Sequence, residues 1–391
     1  MTKTLGDVFE IGSGGTPSKK HAEYYGGSVP WVKTGDLKSE YIYSVEECIT
    51  EDGLSNSSAK MYEPDTVLIA MYGATIGATS ILKIPACTNQ ACAAFKPNDN
   101  VRPEYLFYFL TSKRAQFIKD GVGGAQPNIS AGYLKKVPFN LIDLKKQDQI
   151  IRGLNKTMNI INNRKAKLNI LDELIKARFV EMFGDTENNS KSFSEMKLGD
   201  ICDLQNGYAF KSEDYVELSS VNNCRMSNIR PDGGFDPDYS PKYLPEEYWD
   251  YYSAYRLYNG DVIIAMTDMA SDPKILGVPT IVNSNGKKFL LNQRVGKLVF
   301  AEDEQFNRVF LMRFLGQKYI RMNLAKKAGG STQINIGKPA ILDIEIVRPP
   351  IESQNQFADF VKQVDKTKVA IQKSLDETQQ LFDSLMQEHF G

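Results

Sequence analysis

The 391-residue chain is short of the side chains that metal and redox chemistry draws on. It has two histidines, His21 and His389, and five scattered cysteines, Cys48, Cys87, Cys92, Cys202 and Cys224, none in a C-x-x-C pair. That set offers no ligand arrangement for a transition metal, and an odd, irregular cysteine pattern fits reduced thiols better than a disulfide framework. No charge of one sign dominates. With 47 Lys and Arg against 48 Asp and Glu, a net of -1, no global basic field advertises a polyanionic partner, and only a local patch is left to serve one. No run of 18 apolar residues occurs, and the opening Met1-Thr2-Lys3-Thr4-Leu5-Gly6-Asp7 has no apolar stretch of signal-peptide type. These absences predict a cytoplasmic chain that neither spans a membrane nor is secreted.

Catalytic motifs are missing as well. Glu10-Ile11-Gly12-Ser13-Gly14-Gly15 has the glycines of a nucleotide loop, but no long strand precedes it and its later counterpart, Asp203-Leu204-Gln205-Asn206-Gly207, keeps one glycine. Gly330 to Lys338 fails as a P-loop, since six residues rather than four separate Gly330 from Gly337-Lys338 and Pro339 stands where Ser or Thr must bind magnesium. Methylation at an exocyclic amine would need a short Asp/Asn-Pro-Pro-aromatic turn. The one Pro-Pro here, Pro349-Pro350, lies between Arg348 and Ile351 and reads as a strand end leading into a helix. The sequence therefore assigns no catalytic residue, no metal site and no cofactor to this chain.

What the chain does have is a second copy of itself. Leu5-Gly6-Asp7-Val8 returns as Leu198-Gly199-Asp200-Ile201, Val67-Leu68-Ile69-Ala70-Met71 as Val262-Ile263-Ile264-Ala265-Met266, and Asn89-Gln90 as Asn292-Gln293. Both halves end on Phe-Gly, at Phe183-Gly184 and Phe390-Gly391. The offset between matched positions grows from 193 at Leu5/Leu198 to 203 at Asn89/Asn292, then stays at 207 from Gly123/Gly330 to Gly184/Gly391. Gln126/Gln333, Asn128/Asn335, Gln147/Gln354 and Gln149/Gln356 are in register over that stretch. A period this long means duplicated domains, because solenoid repeats run to roughly 20–50 residues. Each half thus pairs a region free to vary with one held at fixed length.

The variable regions read as α+β. Short β segments at Val29–Val32, Thr66–Met71, Thr79–Leu82 and Ala91–Phe95 precede a helix from Pro103 that carries Tyr105, Leu106, Phe109 and Leu110 on one face. The second half repeats the order, with Asp261–Met266, Thr280–Val282, Gly296–Phe300 and a helix through Val309, Phe310, Met312 and Leu315. The fixed-length regions differ in kind. Leu154, Ile161, Leu168, Ile175 and Met182 recur every seventh residue, and Phe357, Val361, Val364, Ile371, Leu375, Phe382 and Leu385 follow the alternation of three and four, with Lys368 and Thr378 as weak points in the seam. Each such helix, about 36 residues long, spans on the order of 54 Å and outruns one small domain's face. The two are therefore expected to pair through Leu154, Ile161, Leu168, Ile175, Val361, Val364, Ile371, Leu375 and Phe382. Antiparallel pairing gives a pseudo-twofold α+β dumbbell: a first domain over 1–145, a helical region over 146–185, a second domain over 193–350 and a second helical region over 351–391.

Candidate contacts to a phosphate backbone precede each long helix. Lys113, Arg114 and Lys119 lead through a glycine turn to Gln126 and Asn128, and Lys318, Arg321, Lys326 and Lys327 lead through Gly329-Gly330 to Gln333 and Asn335. A cationic helix beside a flexible turn suits neutralising phosphates and letting backbone N–H groups approach them. Loop side chains at matching places form a second group: Lys19 and Lys20, Lys33, Thr34 and Asp36, Tyr72 and Thr75 in the first half, and Lys211, Ser212, Thr267 and Asp268 in the second. Most are types able to read base-edge donors and acceptors in the major groove, and loops that differ between halves would read different bases.

Taken in order, these residues resemble one family, the specificity subunits of type I restriction-modification systems. The likeness covers essentially the whole chain. It rests on Leu5-Gly6-Asp7 with Gly15-Thr16-Pro17-Ser18, Val29 to Leu37, Val67 to Gly77, Thr88-Asn89-Gln90, Gln126-Pro127-Asn128-Ile129-Ser130 and the duplicated Gln-x-Gln helix starts. The resemblance implies two target-recognition domains, each reading one half of a split target in double-stranded DNA. It also implies paired helices that hold the domains at a set spacing and dock two adenine-N6 methyltransferase subunits, which carry the S-adenosylmethionine, with up to two restriction/translocase subunits as optional additions. The second domain departs most, where Tyr208-Ala209-Phe210-Lys211 replaces the Gly-Thr-Pro-Ser turn and Thr267-Asp268-Met269 replaces a glycine-containing one. The alternatives are a two-domain coiled-coil scaffold that binds proteins only, and the specificity part of a fused methyltransferase-nuclease.

Overall fold

A computed structural model describes residues 3–121, 128–301 and 306–391. The chain forms two units, one built from residues up to Ala166 together with Ile371–Gly391, the other from Lys167–Ala370. The long helices, Leu144–Phe183 and Ile351–Phe390, are 40 residues each and divide between the units.

Unit 1 contains two main sheets. Ile11–Ser13, Cys92–Phe95, Val67–Ala70, Thr79–Leu82 and Tyr41–Ile42 form one in that spatial order, and Cys48–Ile49, Tyr25–Val32, Ala86–Thr88 and Met61–Tyr62 the other. Apolar runs such as Val67-Leu68-Ile69-Ala70 are buried at every residue, so period-two alternation is absent where both faces are covered. In the second sheet Tyr25–Val32 and Ala86–Thr88 run parallel, with Trp31 opposite Cys87 and Val32 opposite Thr88. Pro103–Ser112 buries Tyr105, Leu106, Tyr108, Phe109 and Leu110, with Pro103 in its first turn, where a missing N–H costs nothing.

Unit 2 repeats the plan. Cys202–Asn206, Val295–Phe300, Val262–Ala265 and Pro279–Ile281 form one sheet, and Tyr243–Leu244, Val221–Cys224, Lys288–Leu291 and Arg256–Leu257 the other. Val221–Cys224 and Lys288–Leu291 are again parallel. Sequence periodicity missed Ala86–Thr88, Lys288–Leu291 and Val221–Cys224. The last reads Val-Asn-Asn-Cys, and its strand character comes from tertiary pairing that buries both asparagines.

Within each unit, segments of the two long helices run antiparallel. In unit 2 Phe357 meets both Phe179 and Phe183 at ring separations of 5.5 Å, Arg178 lies over Phe360, and Lys368 pairs with Asp172 at 2.6 Å. Ile175, Phe179, Phe183, Val361 and Val364 join one core with Phe310 of the helix Arg308–Leu315. In unit 1 Phe390 packs on Tyr105 and Phe109, Phe382 on Tyr108, and Leu154, Ile161 and Leu375 are buried. Leu168 and Ile371 are only half-buried. The seam turns polar near them: Arg164 donates to the Ser374 carbonyl at 2.7 Å and to the Thr378 hydroxyl, so the polar seam positions expected to weaken the pairing, Lys368 and Thr378, both have partners.

Each long helix is tied to its domain by one buried glutamine. Gln147 accepts the Arg102 N–H at 2.8 Å and donates to the Asn100 and Ile142 carbonyls, both at 2.8 Å. Gln354 accepts the Asn307 N–H at 2.9 Å and donates to the Pro349 carbonyl at 2.8 Å. Both are fully buried, so losing the amide strands backbone groups away from water. Gln147→Leu and Gln354→Leu are each expected to destabilise by about 2–4 kcal/mol in urea titrations, against a change within about 0.5 kcal/mol for the exposed Lys145→Ala. A glutamine variant that melts with the lysine control would refute this lock.

Candidate nucleic-acid interface

In unit 1 the segments that follow several strands converge on one edge, joined by main-chain hydrogen bonds. Asn89, after the strand Ala86–Thr88, donates its N–H to the Val32 carbonyl at 3.0 Å, which places Asn89-Gln90 beside Lys33. The Met71 N–H donates to the Ala91 carbonyl at 2.8 Å and the Ile129 N–H to the Met71 carbonyl at 2.9 Å, bringing in Tyr72–Thr75 and Asn128. Gly15 donates to the Thr88 carbonyl at 2.9 Å, and the next residue, Thr16, bonds the Gln90 side-chain oxygen. The basic helix Arg114–Asp120 closes the edge. Arg114 donates to the Ile76 carbonyl at 3.3 Å, and a Cβ on Gly77, whose φ is +77°, would lie 2.7 Å from the Arg114 Cγ.

Unit 2 builds the same edge with other side chains. Asn292 donates to the Cys224 carbonyl at 3.1 Å, Met266 to Arg294 at 3.0 Å, Ile336 to Met266 at 2.9 Å and Tyr208 to Leu291 at 2.9 Å. Thr267–Met269 pairs with Gln333–Asn335 as a short antiparallel ladder. The glycine of the corresponding turn, absent by sequence comparison, is present but displaced. Gly77 donates to the Ala70 carbonyl and Gly277 to the Ala265 carbonyl, each at 2.9 Å, and Gly277 has φ +70° against the basic helix at Leu324. Residues inserted ahead of Gly277 hid it from alignment.

The anticipated contact residues do not all reach solvent. Lys19, Lys20, Lys119, Lys318 and Lys326 are exposed and have no ion pair among the described residues. Arg114, Asn128, Ser212 and Asn335 are exposed too, as is Tyr72, and Thr34, Thr75 and Gln333 are half-buried. Lys211 lies 3.4 Å from Glu213 and Lys327 3.3 Å from Asp343. Lys33 is paired with Glu47, whose carboxylate holds the ammonium above its ordinary pKa. Gln126 lies outside the described residues.

Five others are turned to internal duties. Asp268 is buried and accepts the Ile275 and Leu276 N–H groups, the latter at 2.9 Å, so it caps the inserted turn instead of facing a groove. Thr267 is also buried and donates to the Asn335 side-chain oxygen at 2.6 Å. Arg321 donates to the Lys274 carbonyl, and burial lowers its pKa. Asp36 accepts the Lys33 N–H at 2.8 Å, and Lys113 donates to the Phe390 carbonyl at 2.6 Å, capping the end of the second long helix. Sequence spacing places these residues beside the edge but cannot tell a side chain that faces out from one that holds a turn.

Three residues of this edge were not among the contacts expected from sequence. Gln90 and Gln293 follow the asparagines whose side chains hold the bend, Asn89 accepting the Ala91 N–H at 3.1 Å and Asn292 the Arg294 N–H at 3.2 Å. Arg225 follows Val221–Cys224 as Lys33 follows Tyr25–Val32. Its N–H donates to the Asn228 side-chain oxygen at 2.9 Å, as Lys33 does to Asp36. The available signal was a cation followed at the third residue by an Asx and then an aliphatic, Lys33-Thr34-Gly35-Asp36-Leu37 against Arg225-Met226-Ser227-Asn228-Ile229, at an offset of 192 that reverses the earlier growth.

With this geometry in place, comparison with known families is decisive. The type I restriction modification DNA specificity domain matches the chain twice, over residues 1–171 and 190–380. The chain belongs to this family. It is 31% identical over 248 residues to the MjaIX type I restriction enzyme specificity subunit of Methanocaldococcus jannaschii, an alignment covering 58% of this chain and 57% of that relative. To the MjaVIII specificity subunit of the same organism it is 24% identical over 365 residues, covering 88% and 84%. A crystal structure of the type I restriction-modification S subunit from M. genitalium has the same fold, with a TM-score of 0.56, 15% identity and coverage of 99% and 94%. Each family match contains one strand-end edge, so duplication of the specificity domain and duplication of the edge are one fact.

These assignments separate stability from contact. Asp268→Ala is expected to lower unit 2 stability by about 2–3 kcal/mol, since two enclosed N–H groups lose their acceptor. Lys326→Ala, at an exposed and unpaired position, should leave the thermal midpoint unchanged. Equal midpoints for the two variants would return Asp268 to the surface.

Proposed function

We propose that the chain is the non-catalytic sequence reader of a type I restriction-modification complex, each specificity domain binding one half of a bipartite, asymmetric site in double-stranded DNA. The observation that carries this reading is an edge built twice on the same main-chain hydrogen bonds but furnished with different side chains, with unpaired lysines beside it. Exposed Lys19, Lys20 and Lys119 in unit 1 and Lys318 and Lys326 in unit 2 would meet phosphates and set register on the duplex. Loop side chains of the edge, Tyr72 and Thr75 among them, would meet base edges.

The partners in this reading are two adenine-N6 methyltransferase subunits, with up to two restriction/translocase subunits joining optionally. S-adenosylmethionine and the flipped adenine belong to the methyltransferase partners, since a base must leave the stack to be modified and this chain carries no motif to receive it. The complex would work in the cytoplasm; among the described residues no helix is long and apolar enough to cross a membrane. The paired helices, 40 residues each or about 60 Å, would dock the methyltransferases and fix the untouched spacer between half-sites.

Three measurements test this. The assembled complex should retain one bipartite duplex over scrambled competitors, with affinity falling linearly in log–log coordinates as salt rises; salt-independent retention, or none, would leave a protein-only scaffold. The chain alone should transfer no methyl group. Deleting one facing heptad from each long helix should shorten the spacer in a methylation map by about 10 Å, or about three base pairs, and an unchanged spacer would defeat the ruler role.

A further inference from the structure

Equivalent places in the two units sort side chains by what they can discriminate. A residue identical in both, such as Gln90 and Gln293, cannot by itself make two half-sites differ. One that differs at an equivalent place can. Lys33 and Arg225 are such a pair: each ends a strand that runs parallel to the one preceding Asn-Gln, and each opens a turn closed on its own N–H by the third residue on.

Resting on the DNA-reading function proposed above, we infer that Arg225 is a base-reading side chain of unit 2, at the place Lys33 holds in unit 1, and that the Arg-for-Lys difference makes the two half-sites unlike. The guanidinium is a rigid fork of donors matched to the O6 and N7 acceptors of guanine, whereas an ammonium is a flexible point charge. Arg225 is half-buried, and its Nη2 donates to the Ser240 carbonyl at 2.7 Å. That contact orients the fork and leaves Nε and Nη1 with no partner among the described residues. Lys33 spends one donor on Glu47 and keeps the others.

The test uses the complex of the full chain with its methyltransferase subunits, bound to a duplex library randomised across the target and read by sequencing. Arg225→Ala should reduce the preference for guanine at one position of one half-site by about 5- to 100-fold and leave the other half-site as in the wild type, which also certifies folding within the same molecule. Arg225→Lys should fall between the two, and Lys33→Ala should act in the opposite half-site. Uniform weakening across all sequences, unchanged preferences, or equal changes in both half-sites would overturn the assignment. A wild-type complex with no positional preference would instead overturn the DNA-reading function itself.

Discussion

A helix with one apolar stripe cannot bury it alone, and that constraint shapes everything else in this chain. The stripe of Leu144–Phe183 finds its cover in Ile351–Phe390, so each unit is assembled from segments far apart in sequence. Unit 1 takes Phe382 and Phe390 from the end of the chain against Tyr105, Tyr108 and Phe109; unit 2 takes Phe179 and Phe183 from its middle against Phe310 and Phe357. Each such buried ring stabilises its core by about 1.5–3 kcal/mol, which makes the helix ends part of the domains and not appendages to them. Constant length in the helical regions follows: an inserted residue would rotate every later stripe position by about 100° and pull the terminal phenylalanine off its site.

The strand scaffold is under a different constraint. Main-chain bonds such as Asn89 to Val32 and Asn292 to Cys224 recur because they satisfy backbone groups that must be paired whatever the neighbouring side chains are. The side chains that project beyond those bonds are free of that demand. Thr16 and Ala209, and Lys33 and Arg225, occupy corresponding places with unlike chemistry. Separating a fixed frame from exchangeable tips is what a protein needs if its two halves are to recognise different things with one fold.

This separation explains what was readable beforehand. The duplication, the helical seam and strands such as Val67–Ala70 and Thr79–Leu82 were legible because their signal is local periodicity and repetition. Val221–Cys224 was not, since Asn222 and Asn223 are strand residues only by virtue of their neighbours. At the edge, Lys119 and Lys326 are exposed, because cations on a short helix face have few internal uses. Asp268, Thr267 and Arg321 were misjudged because short polar side chains and forked cations also serve as turn caps, and sequence alone does not separate the two uses. Arg225 escaped because its equivalence to Lys33 lies in a hydrogen-bond pattern, with almost no residue identity to betray it.

Net positive charge is absent from this molecule. A chain with 47 cations and 48 anions has no basic field to spend, and several of its edge cations are already paired, Lys33 with Glu47, Lys211 with Glu213 and Lys327 with Asp343. Among the described residues Lys19, Lys20 and Lys119 in one unit and Lys318 and Lys326 in the other are exposed cations without an ion pair, a small set whose contacts with a duplex would release few counterions. With the non-specific electrostatic share kept small, the unlike side chains at the strand ends account for a larger fraction of the binding difference between right and wrong sequences.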